Sequence, residues 1–208
     1  MKQTLFLTLM LLMSFSSFCA TYQSETFERQ WAICQYQISS NTAQIKCYEH
    51  LIRQIKQLQT QHQDDLTLKT LLAINLASLA GVDDAPSPLK LIREAKDILQ
   101  EVINKDPSTL HSAAYVILGA LYYRAPGWPI SFGDNDKAEK YLKKAIAIHP
   151  ENLTTLYFYA DFLATRGNKK EAITYLNKAL KLDISSNRAI ADAGRKADIQ
   201  RLLDKLQK

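Results

Sequence analysis

The sequence predicts an all-α protein, a solenoid of repeated helix pairs behind an N-terminal helical hairpin and closed by a C-terminal capping helix. Three observations carry that expectation. Glycine and proline number only 6 each in 208 residues, about half the share usual in soluble proteins, which argues against a sandwich of many short strands and against collagen-like or low-complexity chains. Small and large apolar residues recur at fixed spacing in three successive segments, and each of these follows another apolar stretch of helical length. With 47% hydrophobic and 23% charged residues the chain can bury a real core, which a disordered tail cannot.

Residues 1–20 stand apart from this fold. Lys2 precedes an apolar stretch from Leu5 to Met13 and small residues ending in Ser16-Ser17-Phe18-Cys19-Ala20, the pattern of a secretory signal peptide and too short to span a membrane. Cleavage after Cys19 puts Ser17 at the third position back, whereas cleavage after Ala20 puts bulky Phe18 there, so the first is preferred. Phe18 also argues against Cys19 as a lipidated first residue, because such signals carry Gly or Ala at that place. Removing Lys2 leaves 25 basic side chains against 21 acidic. No later run approaches the length of a membrane span, so the mature chain is expected to be periplasmic or secreted and to lack one.

Residues 21–64 read as a helical hairpin. Phe27, Trp31, Cys34 and Ile38 share one helical face, and Ile45, Tyr48, Ile52 and Ile55 share another, with the polar turn Ser39-Ser40-Asn41-Thr42 between them. Chain reversal in that turn sets Cys34 and Cys47 nearly equidistant from it and facing each other. In an oxidising compartment the pair is expected to form a disulfide, worth roughly 3 kcal/mol on the chain-entropy model. The alternative is a pair of buried thiols.

Residues 65–208 carry the repeat. Ala95, Leu99, Val102 and Pro107 have the same successive spacings as Ala138, Leu142, Ala145 and Pro150, and as Ala172, Leu176, Ala179 and Ile184. A small residue lets a neighbouring helix approach, the next two apolar positions continue that face, and proline helps end the helix. Apolar helices are predicted before each, over about 66–80, 110–124 and 153–165. Asp134 and Asn168 stand at matching cap positions, Asp136 with Glu139 offers another capping arrangement, and Gly167 supplies a turn. The tail from Ser186 places Ile190, Ala193-Gly194 and Ala197 at repeat positions, then Ile199, Leu202, Leu203 and Leu206, as a cap over the last core layer.

The last pair runs without a gap as Leu156, Tyr159-Ala160, Leu163, Ala172, Leu176, Ala179 and Ile184, and Tyr115, Leu118-Gly119 and Tyr122 repeat its first part. This resembles the tetratricopeptide repeat, over about residues 66–208. The resemblance implies a right-handed superhelix of about three helix-turn-helix units that binds rather than catalyses. It departs from the family pattern by two extra residues after Pro107 and by an insertion between Tyr122 and Ala138. In that family the residues one before and one after the first large residue, and the one five beyond it, face the inner groove; here these are Thr155, Tyr157 and Asp161. Tyr123 and Arg124 end the preceding first helix and are expected to line the same groove.

The search for catalytic or cofactor chemistry is negative. Ser87-Pro88-Leu89-Lys90 matches a Ser-x-x-Lys pattern but lacks its Ser-Asp-Asn and Lys-Thr-Gly partners, and reads better as a cap followed by proline at the first helical position. His50, His62, His111 and His149 form no metal-ligand pair at helical spacing, and no calcium or phosphate loop is present in the sequence. No cofactor or metal is therefore expected. Lysines such as Lys137, Lys140 and Lys144 alternate with core positions as solvated faces, so no nucleic acid partner is expected either.

The insertion 125–134 is apolar for a loop, carrying Trp128, Ile130 and Phe132 beside Pro126 and Pro129. Two readings stand: Trp128 and Phe132 fold down as a lid over the helix pair, or Trp128 anchors a peptide or an apolar ligand. The function expected is an exported scaffold offering a groove to a protein or peptide partner in the cell envelope. A narrower resemblance, carried by the insertion, its Gly133-Asp134 and the Ala-rich helix after it, is to the helical T component of tripartite ATP-independent periplasmic transporters. That resemblance implies an accessory of solute uptake with a small apolar ligand.

Overall fold

The computed structural model describes residues 25–208, so the signal peptide, its cleavage site and Cys19 lie outside the described residues. Helix α1 runs over 25–36 and α2 over Asn41–Gln59. Then follow α3 (Leu66–Ala80), α4 (Pro88–Lys105), α5 (Thr109–Arg124), α6 (Asn135–Ile148), α7 (Leu153–Thr165) and α8 (Lys169–Leu180). A 3₁₀ turn at Ser186–Arg188 leads into α9 (Ala189–Gln207).

Local chemistry sets the ends of these helices. Asp65 accepts from the Leu68 amide, Asn152 from Thr155 and Asp134 from both Asp136 and Lys137, each satisfying N–H groups that a helix start leaves orphaned. The Asp134 carboxyl is held below the ordinary carboxylate range, first by the Lys137 amide. Asn168 occupies the cap position of α8 without a side-chain cap bond, and Ser87 does the same before Pro88 at the start of α4. Gly167 turns the chain at positive φ, and Pro150 follows the end of α6.

The three predicted triads are the core of the pair interfaces. Ala95, Leu99 and Val102, Ala138, Leu142 and Ala145, and Ala172, Leu176 and Ala179 are all fully buried or within 1% of it. They belong to α4, α6 and α8, the outer helix of each pair, which bury one stripe and expose the rest. The inner helices α3, α5 and α7 meet a partner within their own pair and neighbours in the next. That double contact explains why they are apolar almost all round. Gly119 of α5 is where a pair closes most tightly, since a Cβ there would lie 2.5 Å from Leu142 Cγ of α6.

The N-terminal hairpin continues the array. Cys34 and Cys47 are bridged, with Cα atoms 5.8 Å apart, and α2 lies against α3. Trp31 of α1 donates from Nε1 to Ser78 Oγ of α3 at 2.9 Å, as an inner helix would meet the next inner helix. At its other side α1 meets the far end of the chain. Tyr36 donates to Asp198 Oδ2 at 3.1 Å, Glu28 pairs with Arg188, and the Tyr36 ring lies where a Cβ on Gly194 would be.

This meeting corrects the expected register of α9. Ala193 and Ala197 are exposed, and the buried stripe is Ala191, Asp192, Arg195, Ile199 and Leu203. A simple cap would keep its outer face polar and its inner face apolar, but here the inner face also serves a polar contact with α1. Gly194→Leu is expected to push Tyr36 away and part α1 from α9. Amide hydrogen exchange should then speed up in α1 while that of α5 to α8 stays as in the unmodified protein; unchanged exchange in α1 would contradict the contact.

Candidate functional site

Inner helices α1, α3, α5, α7 and α9 border a groove of about 980 Å³, reached also by the start of α4 and the first residues of the insertion. Leu71, Ile74, Ile92, Val116 and Ile117 make one part of its wall apolar. Elsewhere Arg124, Tyr157, Phe158, Arg195 and Asp198 make it aromatic and charged. Position decides the difference, because α7, α9 and the C-terminal end of α5 carry the aromatic and charged residues, while α3 and the rest of α5 carry most of the apolar ones.

The charged part is built on two arginines flanking one ring. Arg124, the last residue of α5, has its guanidinium 5.1 Å from the Phe158 ring centroid, and Arg195 of α9 lies 4.9 Å from the same ring. Arg195 also lies 4.6 Å from the Tyr157 ring. Such cation–aromatic contacts gain strength where water is excluded, and the Arg195 side chain is only 8% exposed. Each arginine has a carboxylate. Asp161 accepts at one oxygen from Arg124 Nη2 and, at 2.6 Å, from the Tyr123 hydroxyl. Asp198 accepts from Arg195 Nη1 at 3.1 Å and also pairs with Arg201.

Burial raises the Tyr123 hydroxyl well above its ordinary pKa; the Arg124 charge opposes this and Asp161 adds to it. Tyr36 and Tyr157 are raised as well, first by burial. All three therefore stay protonated through the physiological range, and Tyr36 and Tyr123 act as hydroxyl donors. Arg124 is half exposed at the rim, and two of the five N–H donors of an arginine are engaged by Asp161 and Tyr123. What remains suits a ligand's carbonyl or carboxylate oxygen next to an aromatic wall.

Tyr123, Arg124 and Asp161 are brought together by hydrogen bonds, and Arg124 and Tyr157 lie on the groove wall, whereas Tyr123 and Asp161, expected to face the groove, stand behind Arg124 and do not line it. Thr155 departs from that expectation. It touches the groove wall but is 2% exposed, and both its amide and its hydroxyl are turned to Asn152, so it serves the start of α7. Sequence reasoning missed Arg195 and Asp198. Their signal was present as charges three apart within the apolar stripe of Ala191, Ile199 and Leu203, a pattern with no reason to exist on a plain cap.

The insertion divides between its two readings. Phe132 folds down, meeting Tyr122 edge to face with centroids 5.4 Å apart, while Lys96 of α4 lies 5.4 Å from its ring centroid. Trp128 does not fold down: it is 90% exposed, follows the loop outward before a cis peptide to Pro129, and does not line the groove. A lid needs both rings, so only half of that expectation holds.

A family model described as tetratricopeptide repeat matches residues 130–193. Over those residues the chain carries a tetratricopeptide repeat. The match spans the end of the insertion, α6, α7, α8 and the start of α9. The pairs α3/α4 and α5/α6 extend the same construction N-terminally, with their own buried triads, and Gly119 in α5 provides the close approach that the repeat pattern requires there. No curated protein matches the chain. The resemblance to a transporter component gains no support from either comparison. Among the described residues there is no group of His, Cys, Asp and Glu that could hold a metal ion, and no helix long and apolar enough to cross a membrane.

Proposed function

We propose that this tetratricopeptide repeat protein is an exported, non-enzymatic adaptor that binds a peptide or protein segment in its inner groove. The observation that carries the reading is the groove itself. Its wall offers an apolar stretch from α3 and α5, then an aromatic stretch with a half-exposed arginine, which together match the alternating apolar side chains and carbonyls of a peptide. The apolar run at 5–13 and the Cys34–Cys47 bridge support an oxidising compartment, periplasmic or extracellular, where the partner would also reside.

A small apolar ligand is the second reading, and the enclosure of the groove by α1 favours it. Selection from a displayed random-peptide library separates the two. Peptides that bind the protein are expected to lose about tenfold in affinity on Tyr157→Ala, in the range of a groove anchor, and on Ile117→Glu. Selected peptides indifferent to both substitutions would overturn the adaptor reading. A small molecule retained by the purified protein in native mass spectrometry would then support the second.

A further inference from the structure

The insertion presents an apolar tip that the groove does not use. Trp128 is 90% exposed and Ile130 59% exposed, side by side with Pro129. The loop that carries them is tied down. Gly133 donates to the Pro126 carbonyl at 2.9 Å, Asp134 to the Tyr122 carbonyl at 2.9 Å, and Arg93 of α4 to the Ile130 carbonyl at 2.8 Å. Exposure of this kind is a fixed presentation of two large apolar side chains to the solvent.

The surface beside the tip is richer in cations than in carboxylates. Lys96 lies over Phe132, Lys137 over Tyr122 and Lys144 over Tyr115, so the three cations follow one row of rings between α4 and α6. Lys137, Lys140 and Lys144 occupy one face of α6 by their spacing. Most carboxylates here are engaged by lysines: Glu94 with Lys56, Glu101 with Lys69 and Lys105, Asp97 with Lys96, Glu139 with Lys143, and Asp134 before α6 with Lys137. Among the described residues Lys90, Arg93, Lys140 and Lys144 have no carboxylate within ion-pair distance, against a single unpaired carboxylate on α4 and α6, Asp136.

We propose that the Trp128 loop and the lysine face of α6 beside it dock onto an anionic lipid bilayer. Tryptophan settles at the level of the headgroups, where its ring is half in hydrocarbon and its N–H stays wet. A shallow apolar tip flanked by cations is the combination that holds a protein on a membrane surface without crossing it. The tip contributes apolar contact and the face of α6 contributes attraction to negative headgroups. The proposal is independent of what the groove binds.

Vesicles test it on the protein as exported. Trp31→Phe leaves Trp128 as the only tryptophan, since the chain has two, so its emission reports the loop alone. On vesicles of phosphatidylcholine with about one-third phosphatidylglycerol, Trp128 emission should shift to the blue and the protein should co-sediment, about tenfold more tightly than with phosphatidylcholine alone. Trp128→Ala should abolish sedimentation, and Lys140→Glu with Lys144→Glu should weaken it about tenfold. Unchanged Trp128 emission, equal binding to both vesicles, or full sedimentation of Trp128→Ala would overturn the proposal. Should Trp31→Phe fail to fold, sedimentation of the unmodified protein against Trp128→Ala decides by itself.

Discussion

Truncating Leu142 to alanine is expected to lower the unfolding free energy by about 3 kcal/mol, the middle of the range for a fully buried leucine. Its surroundings explain why the loss should not be smaller. Leu142 sits between Ala138 and Ala145 on the buried stripe of α6 and presses on the bare backbone of Gly119, so small residues surround it and little can collapse into the space. The opposite change on the facing helix should also destabilise. Gly119→Ala places a Cβ 2.5 Å from Leu142 Cγ and 2.8 Å from Cδ2, forcing α5 and α6 apart at a cost of about 2 kcal/mol. Combined, the two should cost clearly less than their sum, because the new methyl enters the space that the leucine leaves, a coupling of about 1 kcal/mol or more. Urea unfolding of the two single variants and the double variant measures this. Additive losses would mean that Gly119 and Leu142 do not share the contact.

The second large effect lies in the hairpin. Replacing Cys34 and Cys47 together by serine is expected to cost about 3 kcal/mol, the constraint that a bridge across 13 residues places on the unfolded chain. For a domain of this size that corresponds to a fall in Tm of about 10 °C. Peptide mapping of the unreduced protein should recover the two cysteines in one linked fragment, and two free thiols there would contradict the bridge. Cys34 is fully buried on α1, the helix that carries Glu28 and Tyr36 to α9, so the loss should be felt at both chain ends. Hydrogen exchange in the C-terminal half of α9 is therefore expected to rise in the serine variant, far from the substitutions in sequence.

Legibility in the sequence followed locality. The triads could be read because the spacing of Ala138, Leu142 and Ala145 encodes a stripe on one helix, and the stripe is what the neighbouring helix buries. Cys34 and Cys47 could be paired because both lie the same short distance from one turn. The α9 register could not be read in the same way. Ala193 and Ala197 look like small core residues, and only the return of α1, some 160 positions away, explains why Gly194 must be bare and why Arg195 is buried. Trp128 and Phe132 are alike in composition, and their opposite fates depend on Tyr122 and Lys96 receiving one ring and not the other. Tyr157 was legible as a groove residue from its repeat position and Arg124 from its place at the end of α5; Arg195, which reaches the same wall from α9, was not, because its partner rings belong to α7 and α1.

Arrays of helix pairs ordinarily change length by gaining or losing a unit at an end, since each new pair needs only one open face to sit on. Here the contact of Tyr36 and Glu28 with α9 occupies both such faces at once. Duplicating a pair such as α7/α8 would therefore do more than lengthen the stack: it would carry Asp198 and Arg188 out of reach of α1. The contact between the two ends thus ties the number of pairs to the closure of the array.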